Sequence, residues 1–335
     1  MTDPRFQALT DWCRQQLSDK TISLEAVSGD ASFRRYFRTN SHPSLIAVDA
    51  PPEKENSQAF VSIDRALFSH GVRVPQIKMV DLEKGFMLLE DFGNNLLLDF
   101  LQSNLAKDSA DDYYQQAMND LLHLKDCTQM PDYQLPPYDE ALLMSEMQLF
   151  CDWYLDKHLG FGVGSDKFID MTEIFDTLIH SAMEQPKVCV HLDYHSRNLM
   201  LLDSGEIGII DFQDAVIGPI TYDLVSLLKD CYIAWPADRV WHWLESYYQQ
   251  LLAQQIPGLG DLEQFIRWFD LMGMQRHFKA IGIFARLNYR DNKPGYLADI
   301  PRTLEYIYQC CLIYPEFKDF GLRLKSLNLF NGEQS

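Results

Sequence analysis

Short apolar runs separated by turn residues dominate the first ninety residues of the chain. Runs bounded by Gly, Asp and Ser are typical of β-strands. They predict strands at residues 22–27, 33–38, 44–48, 78–82 and 86–90. Apolar positions at helical spacing instead predict a lead-in helix at 3–18 and an inserted helix at 55–69, which Gly71 ends. We therefore expect this part of the chain to form a small sheet with helices.

Helical spacing takes over beyond the polar step Glu90-Asp91-Phe92-Gly93. Helices are predicted at about 94–105, 110–127, 138–159, 166–184, 222–231, 236–255, 261–288 and 300–312. A change of pattern at one short step indicates a lobe boundary. The predicted fold is α+β and bilobal, with a small antiparallel-sheet lobe at 1–90, a hinge at 91–93 and a larger, mainly helical lobe at 94–335.

The stretch from Lys187 to Asp214 interrupts the helices with short apolar runs that end at acidic residues. Asp193 follows one run and Asp211 follows another, and Asn198 lies between them. The runs 199–202 and 206–210, joined by the turn formers Ser204-Gly205, predict a hairpin. Such a hairpin would bring Asn198 and Asp211 together.

These three side chains suit phosphoryl transfer. A carboxylate accepts the proton of an attacking hydroxyl, and an amide oxygen and a second carboxylate hold Mg²⁺ against phosphates. Asp193, Asn198 and Asp211 fit these roles in that order, and the spacing D-x-x-x-x-N followed by I-I-D-F matches kinase-type sites. Each half alone could be an ordinary turn, but both halves in order indicate a kinase-type site that uses ATP and Mg²⁺.

Two further segments are candidates for nucleotide binding. The turn GDASFRR lies where a kinase fold covers the nucleotide phosphates, and it offers Ser32, Phe33 and Arg34. An ordinary hairpin turn is the alternative, because the segment has one glycine where phosphate-binding loops usually have several. At the predicted hinge, Leu89, Glu90 and Phe92 would meet the adenine, although Leu89 suits a plain core position equally well.

Charge and cysteine content restrict the partners. The net charge of −19 leaves no electrostatic footprint for nucleic acid or for an anionic membrane, so we expect neither as a partner. The seven cysteines are scattered along the chain, which indicates reduced thiols. Neither a signal peptide nor a membrane span is recognisable in the sequence. We expect a cytoplasmic protein. Residues 275–291 are unusually basic for this chain, which indicates a surface for an anionic or polar substrate, or else a solvated helix face.

The motifs HLDYHSRNLML and IIDFQDA resemble the signatures of the aminoglycoside phosphotransferase family, which includes choline and homoserine kinases. The resemblance implies a protein-kinase-like fold. GDASFRRYFR, DAPPEKE, QRHFKAIGIFARL and YLADIPRTLEY further resemble the bacterial cell-wall sugar kinases. That resemblance implies phosphorylation of N-acetylmuramate and N-acetylglucosamine at the anomeric hydroxyl during peptidoglycan recycling. The product would be a sugar 1-phosphate, which a downstream nucleotidyltransferase would consume.

The resemblance also implies roles for single residues. Asp193 would orient and deprotonate the sugar hydroxyl, while His195 and Arg197 in the same loop would contact the γ-phosphate or the substrate. Candidates for binding the sugar are Gln213, Asp214, Arg276, Arg286 and Tyr289.

The chain departs from the family pattern at two linked places. The strand LIAVDAPP lacks the usual Lys that pairs the α- and β-phosphates, and Phe60 lies near the place of its Glu partner. Our hypothesis is that Arg34 or Arg35 binds the nucleotide phosphates in place of this Lys.

Two alternatives stay open from the sequence. One is a kinase of the same fold that acts on an aminoglycoside or another small alcohol. The other is a catalytically inactive, kinase-like nucleotide-binding protein, for which the missing Lys and Glu would be typical. Retention of Asp193, Asn198 and Asp211 argues against the second alternative.

Overall fold

The computed structural model of the chain describes residues 3–27, 33–103 and 109–327. Its strands are β1 (Leu24–Ala26), β2 (Arg35–Thr39), β3 (Leu45–Asp49), β4 (Ile77–Asp81), β5 (Phe86–Glu90), β6 (Lys187–Val190), β7 (Leu199–Leu201), β8 (Ile207–Ile209) and β9 (Val216–Pro219). β1 to β5 form one antiparallel sheet in the order β1-β2-β3-β5-β4, whereas β7 pairs with β8 and β6 with β9.

The helices are α1 (Pro4–Gln16), α2 (Ser57–Ser69), α3 (Leu97–Gln102), α4 (Ala110–Leu124), α5 (Glu140–Leu149), α6 (Thr172–Glu184), α7 (Tyr222–Leu228), α8 (Ala237–Ala253), α9 (Leu262–Asp291), α10 (Ile300–Ile313) and α11 (Lys318–Ser326). A π-helical segment, Phe150–His158, continues α5, and short 3₁₀ helices span Pro294–Asp299 and Pro315–Phe317. Among the described residues, no helix combines the length and apolar composition that a membrane span requires.

Contacts divide the chain into two compact units. The first unit contains Met1–Ser109, Asp126–Leu135 and Arg197–Ala215, and the second contains Ala110–Lys125, Pro136–Ser196 and Val216–Ser335. The units interleave along the chain, whereas the predicted lobes are contiguous. The lobe boundaries at 90 and 93 stay a prediction.

Helix α1 covers one face of the five-stranded sheet in the first unit. It begins where the Asp3 side chain accepts hydrogen bonds from the backbone N–H groups of Arg5 and Phe6. Its apolar residues Leu9, Trp12 and Cys13 are buried in one cluster with Phe37, Phe86 and Leu88 of the sheet. The sheet and helices confirm the predicted α+β class.

The second unit is built around α9, a helix of 30 residues that packs against α5, α6, α7 and α10. The side chain of Asp261 caps its start by accepting from the backbone N–H of Gln264 at 2.9 Å. Gly282 permits close packing of α9 against α5, since a Cβ at this position would lie 2.4 Å from the backbone of Leu149. The predicted helix at 261–288 is therefore confirmed, with an end three residues later.

Three parts of the second unit differ from the sequence-based expectation. Residues 150–158 are π-helical rather than α-helical, and the helix predicted from residue 166 begins at Thr172. The strand β9 was not predicted, because Gly218-Pro219 signals a turn. It forms through pairing with β6, which aligns Val190 with Val216.

Candidate active site

The loop that follows β6 in the second unit carries Asp193. Leu192 has a backbone φ of +75°, an unusual angle for a residue with a side chain. Asp223 stabilises this turn by accepting hydrogen bonds from the backbone N–H of His191 at 2.6 Å and of Leu192 at 3.1 Å. Burial raises the pKa of Asp223 to about 7, and these two hydrogen bonds oppose that rise. Asp223 therefore braces the loop that carries Asp193.

A second carboxylate holds the other end of the same loop. Oδ2 of Asp230 accepts hydrogen bonds from the Ser196 backbone N–H at 3.0 Å and from the Ser196 hydroxyl at 2.6 Å. Its Oδ1 accepts from the backbone N–H of Tyr232 at 2.8 Å. Asp223 lies in the first turn of the short helix α7, and Asp230 lies two residues after its end, so the two ends of one element anchor the loop. Sequence reasoning missed Asp230, which has no motif of its own.

The electrostatic surroundings keep Asp193 ionised. Burial alone would raise the pKa of its carboxyl, but the charges of Lys279 and Arg276 hold that pKa below the ordinary value. Burial lowers the pKa of His195, so its imidazole is neutral at neutral pH. The Nδ1 atom of His195 is buried and has no hydrogen-bond partner among the described residues. Asp193 can therefore accept a proton, and His195 can bond to a ligand.

Lys279 belongs to a buried polar network that the sequence did not reveal. Its Nζ lies 2.7 Å from Oε1 of Glu146 and donates to the hydroxyl of Tyr222 at 3.2 Å. The hydroxyl of Tyr138 also donates to Glu146, and Nε2 of Gln275 donates to that hydroxyl at 3.0 Å. Apart from Tyr138 and Glu146, these partners lie far apart in the sequence, so no local pattern could pair them.

The structure disperses the predicted sugar-binding residues of α9. Arg276 is buried, and its Nη1 lies 3.5 Å from the sulfur of Cys231. Tyr289 is exposed, and its hydroxyl lies 3.0 Å from Nδ1 of His158 in the π-helical segment. Arg286 is partly buried. The sugar-binding role of these three residues stays a prediction.

The hairpin of β7 and β8 in the first unit brings Asn198 and Asp211 together, as predicted. Nδ2 of Asn198 donates to Oδ2 of Asp211 at 3.3 Å, and the backbone N–H of Ile210 donates to the Asn198 carbonyl at 3.1 Å. Asp211 has a φ of +65°. Nε2 of Gln213 donates to Oδ1 of Asp211 at 2.7 Å, whereas the neighbouring Asp214 is exposed. Gln213 therefore contacts the predicted metal ligand, and its sugar-binding role stays a prediction.

The donors of Asn198 and Asp211 fit Mg²⁺. An amide oxygen and a carboxylate are hard ligands, and Mg²⁺ commonly takes one or two protein ligands together with waters and phosphate oxygens. No group of three or more His, Cys, Asp or Glu side chains arranged for a metal is found in residues 3–27, 33–103 and 109–327. A metal held mainly by a nucleotide needs no such group. Arg197 lies partly exposed beside Asn198 in the sequence, and its role stays a prediction.

Arg34 of the predicted phosphate-binding turn lies in a defined environment in the first unit. Its Nη2 is 3.1 Å from Oε2 of Glu55, and its guanidinium lies 4.9 Å from the ring centre of Phe60. The Phe60 ring in turn lies 5.0 Å from that of Phe212, the residue after Asp211. Ser32 lies outside the described residues. Phe33 is 62% exposed, with Nζ of Lys54 5.3 Å from its ring centre.

The predicted hinge residues have partners in the first unit. Arg73 forms two hydrogen bonds with the Glu90 carboxylate, at 2.8 and 2.6 Å. The Arg73 guanidinium also lies 4.7 Å from the ring centre of Phe92, and that ring packs on Gly208 of β8. Leu89 is buried in β5. The side chain of Glu90 is thus engaged with Arg73, and an adenine-binding role stays a prediction for all three residues.

Comparisons with known proteins agree over most of the chain. The model of the phosphotransferase enzyme family matches residues 23–266. The N-acetylmuramate/N-acetylglucosamine kinase of Pseudomonas putida is 44% identical over 331 residues, which cover 95% of either chain. The kinase of the same name from Pseudomonas aeruginosa is 42% identical over 338 residues, which cover 97% of either chain.

Solved structures of low sequence identity share the fold. Choline kinase from Cryptosporidium parvum aligns with a TM-score of 0.61 at 13% identity, and the match covers 96% of this chain and 98% of that one. An ADP-bound aminoglycoside phosphotransferase aligns with a TM-score of 0.55 at 15% identity, over 89% of this chain and 97% of that one. The fold is therefore the protein-kinase-like fold of these enzymes, as predicted.

Proposed function

The chain belongs to the phosphotransferase enzyme family, and from this premise we propose that it is an ATP- and Mg²⁺-dependent sugar kinase. Its acceptors are N-acetylmuramate and N-acetylglucosamine, which it phosphorylates at the anomeric hydroxyl in peptidoglycan recycling. The observation that carries this proposal is the 44% and 42% identity, over nearly the whole chain, with two kinases named for these sugars. The predicted family and enzyme class are confirmed by the same matches.

Asp193 is the proposed base of the reaction. Its carboxylate accepts the proton of the anomeric hydroxyl and orients the hydroxyl oxygen for attack on the γ-phosphorus of ATP, whose bond to the leaving ADP oxygen breaks. An anomeric hydroxyl is more acidic than an ordinary alcohol, so a weak base suffices. The low pKa of Asp193 is compatible with this role, because positioning carries more of the rate than basicity does.

The proposed nucleotide site uses groups of the first unit. Asn198 and Asp211 would hold Mg²⁺, which neutralises phosphate charge when it is bound. Arg34, held by Glu55, would bind the phosphates with the turn that includes Ser32 and Phe33. The segment of Leu89, Glu90 and Phe92 would meet the adenine. ADP in a related aminoglycoside phosphotransferase supports nucleotide binding by this fold.

The proposed acceptor site uses groups of the second unit. His195, which is neutral and has a buried Nδ1 without a partner among the described residues, would donate to or accept from the sugar or the γ-phosphate. The product, a sugar 1-phosphate, is a substrate for a nucleotidyltransferase. All seven cysteines are unpaired, which supports the proposed cytoplasmic location.

ATP turnover with Mg²⁺ against a panel of acceptors tests the proposal. The panel contains N-acetylmuramate, N-acetylglucosamine, glucose, kanamycin and choline, and NMR locates the transferred phosphate. We expect turnover of the two amino sugars with phosphate on C1, and a loss of about 10²- to 10⁴-fold in Asp193→Asn. Turnover of kanamycin or choline alone would retain the family but reject the sugars. Nucleotide binding without turnover of any acceptor would favour the inactive, kinase-like alternative.

A further inference from the structure

Arg286 of α9 is a cation that no described residue binds. Among residues 3–27, 33–103 and 109–327 it has no hydrogen-bond or ion-pair partner, and its Nε is buried without an acceptor. The chain has 48 acidic and 29 basic residues, yet no carboxylate of the described residues bonds this side chain. Burial and then the charge of Arg290 lower the pKa of Arg286, and the charge of Asp291 opposes them only in part. A guanidinium in such surroundings is stabilised when an anion joins it.

The helix places Arg286 on the same face as Lys279. Seven residues make about two turns, so the two side chains differ by roughly 20° in direction and lie about 10 Å apart along the axis. Nζ of Lys279 reaches the hydroxyl of Tyr222, the residue next to the loop anchor Asp223. The charge of Lys279 also acts on Asp193. This side of α9 therefore carries a cation whose charge acts on the proposed base.

A contact on the same side supports this placement. Gly282 packs against Leu149 at the end of α5. Helical geometry sets Gly282 about 40° from Arg286, whereas Phe284, which packs against Tyr232, lies about 160° from Arg286 on nearly the opposite side. Arg286 therefore shares the side of α9 that carries Lys279 and packs against α5.

The two proposed acceptors differ in the group that such a cation would bind. Both are N-acetylated amino sugars, but N-acetylmuramate carries in addition a lactyl ether with a carboxylate. A carboxylate that enters a chain of net charge −19 requires a local cation, and a guanidinium binds it with two parallel hydrogen bonds. An acceptor without the lactyl group has no use for that cation.

We propose that Arg286 binds the lactyl carboxylate of N-acetylmuramate and so determines how well the enzyme uses the carboxylated acceptor relative to the neutral one. The proposal rests on the proposed sugar-kinase function. It assigns Arg286 to substrate binding, whereas Arg276 and Lys279 are occupied by Cys231 and Glu146.

Steady-state kinetics of Arg286→Gln with both sugars test the assignment. We expect kcat/KM for N-acetylmuramate to fall about 10- to 100-fold, mainly through KM, because a charge-assisted bond is lost. The value for N-acetylglucosamine should stay within about twofold, which also reports correct folding. Arg290→Gln is the matched control, because Arg290 is one helical turn away and pairs with Asp291 at 2.9 Å. The Arg290→Gln substitution should leave kcat/KM unchanged for both acceptors.

Two outcomes would overturn the assignment. An equal loss for both acceptors would make Arg286 a general structural residue of the site, and no change for either would remove it from the site. A failure of the sugar-kinase function is distinguishable, since the wild-type enzyme would then turn over neither sugar.

A measurement on the wild-type enzyme keeps the test independent of any folding defect. N-acetylmuramate whose lactyl carboxylate is converted to a primary amide keeps its shape but loses its charge. We expect the amide to be used about tenfold less well than the acid, and the Arg286→Gln enzyme to distinguish them less. Equal use of acid and amide by the wild-type enzyme would refute the proposed carboxylate contact.

Discussion

Two residues of the candidate site have left-handed backbone angles, which side chains other than glycine adopt rarely. Leu192 precedes the proposed base and has a φ of +75°, and Asp211 has a φ of +65°. Such angles cost on the order of 1–3 kcal/mol for a residue like Leu, and less for Asp. The hydrogen bonds to Asp223 offset the cost at Leu192. The strain is located where the direction of a catalytic side chain has to be fixed.

Arg34 is the proposed substitute for the Lys that family members use to bind the phosphates. Strand β3 offers no Lys to the phosphates, and its Asp49 is instead bound by Arg35, whose Nε donates to Oδ2 at 3.1 Å. Arg34 points elsewhere, to Glu55 and to the face of Phe60. An arginine held between a carboxylate and an aromatic ring is preorganised for a bidentate bond to phosphate. The neighbouring arginines therefore have different partners: Arg35 binds Asp49, whereas Arg34 contacts Glu55 and Phe60.

Replacement of Arg34 by Gln should weaken ATP and ADP binding about tenfold, because one charge-assisted phosphate contact is lost. Adenosine, which has no phosphate, should bind unchanged, and isothermal titration calorimetry measures all three affinities. Arg35→Gln is the control. The Arg35→Gln substitution should lower the melting temperature, because Asp49 loses its hydrogen bonds to Arg35. It should leave the ratio of ADP affinity to adenosine affinity unchanged. Unchanged ADP affinity in Arg34→Gln would contradict the assignment.

At the scale of elements, the short helix α7 anchors the loop that carries Asp193. The helix spans seven residues, with Asp223 in its first turn and Asp230 two residues after its end. Together they bind both ends of the loop that carries Asp193 and His195. Most of the other described side chains of α7 are apolar and buried, so the anchor itself is fixed by packing. A rigid support is what proton transfer over a single hydrogen bond requires.

Asp230→Asn should lower kcat about tenfold and leave KM for ATP unchanged, because the loop loses charge-assisted hydrogen bonds but the nucleotide contacts stay. Ser196→Ala should have a smaller effect, since it removes the hydroxyl bond alone and keeps the backbone N–H bond. Asp238→Asn, an exposed position at the start of α8, serves as the control. Steady-state kinetics measure these effects, and a rise in KM for ATP with unchanged kcat would argue against the anchoring role.

Elements with a local signal could be predicted from the sequence, and those created by distant partners could not. The hairpin that joins Asn198 to Asp211 is short and marked by turn residues, so its geometry followed from spacing. Strand β9 exists because β6 pairs with it, and its own residues signal a turn. The bond of Lys279 to Glu146 likewise depends on the packing of α9 against α5. Tertiary contacts of this kind leave no periodic trace in the sequence.

At the scale of the whole molecule, the net charge of −19 disfavours the binding of every anionic substrate of the proposed reaction. In the proposed function, binding of ATP would therefore depend on local compensation by Arg34 and by Mg²⁺ at Asn198 and Asp211. Because Asn198 and Asp211 would supply only two protein ligands, phosphate oxygens and water would supply most of the coordination of the metal. The protein should consequently bind Mg²⁺ weakly by itself and much more tightly together with a nucleotide. Ligands that bind the native state raise the stability of the entire chain, so this dependence is measurable in unfolding.

Thermal unfolding with Mg²⁺, with ADP and with both tests the metal site. Mg²⁺ alone should leave the melting temperature unchanged, and both together at about 100 times the Kd should add about 2.7 kcal/mol of stability, a shift of several degrees that EDTA reverses. Asp211→Asn should abolish the part of the shift that requires Mg²⁺, because a carboxylate ligand is lost. Asp203→Asn is a matched control, since Asp203 is an exposed residue in the turn of the same hairpin. If Asp211→Asn retains the Mg²⁺-dependent shift, or Asp203→Asn loses it, the hairpin holds the metal through other atoms.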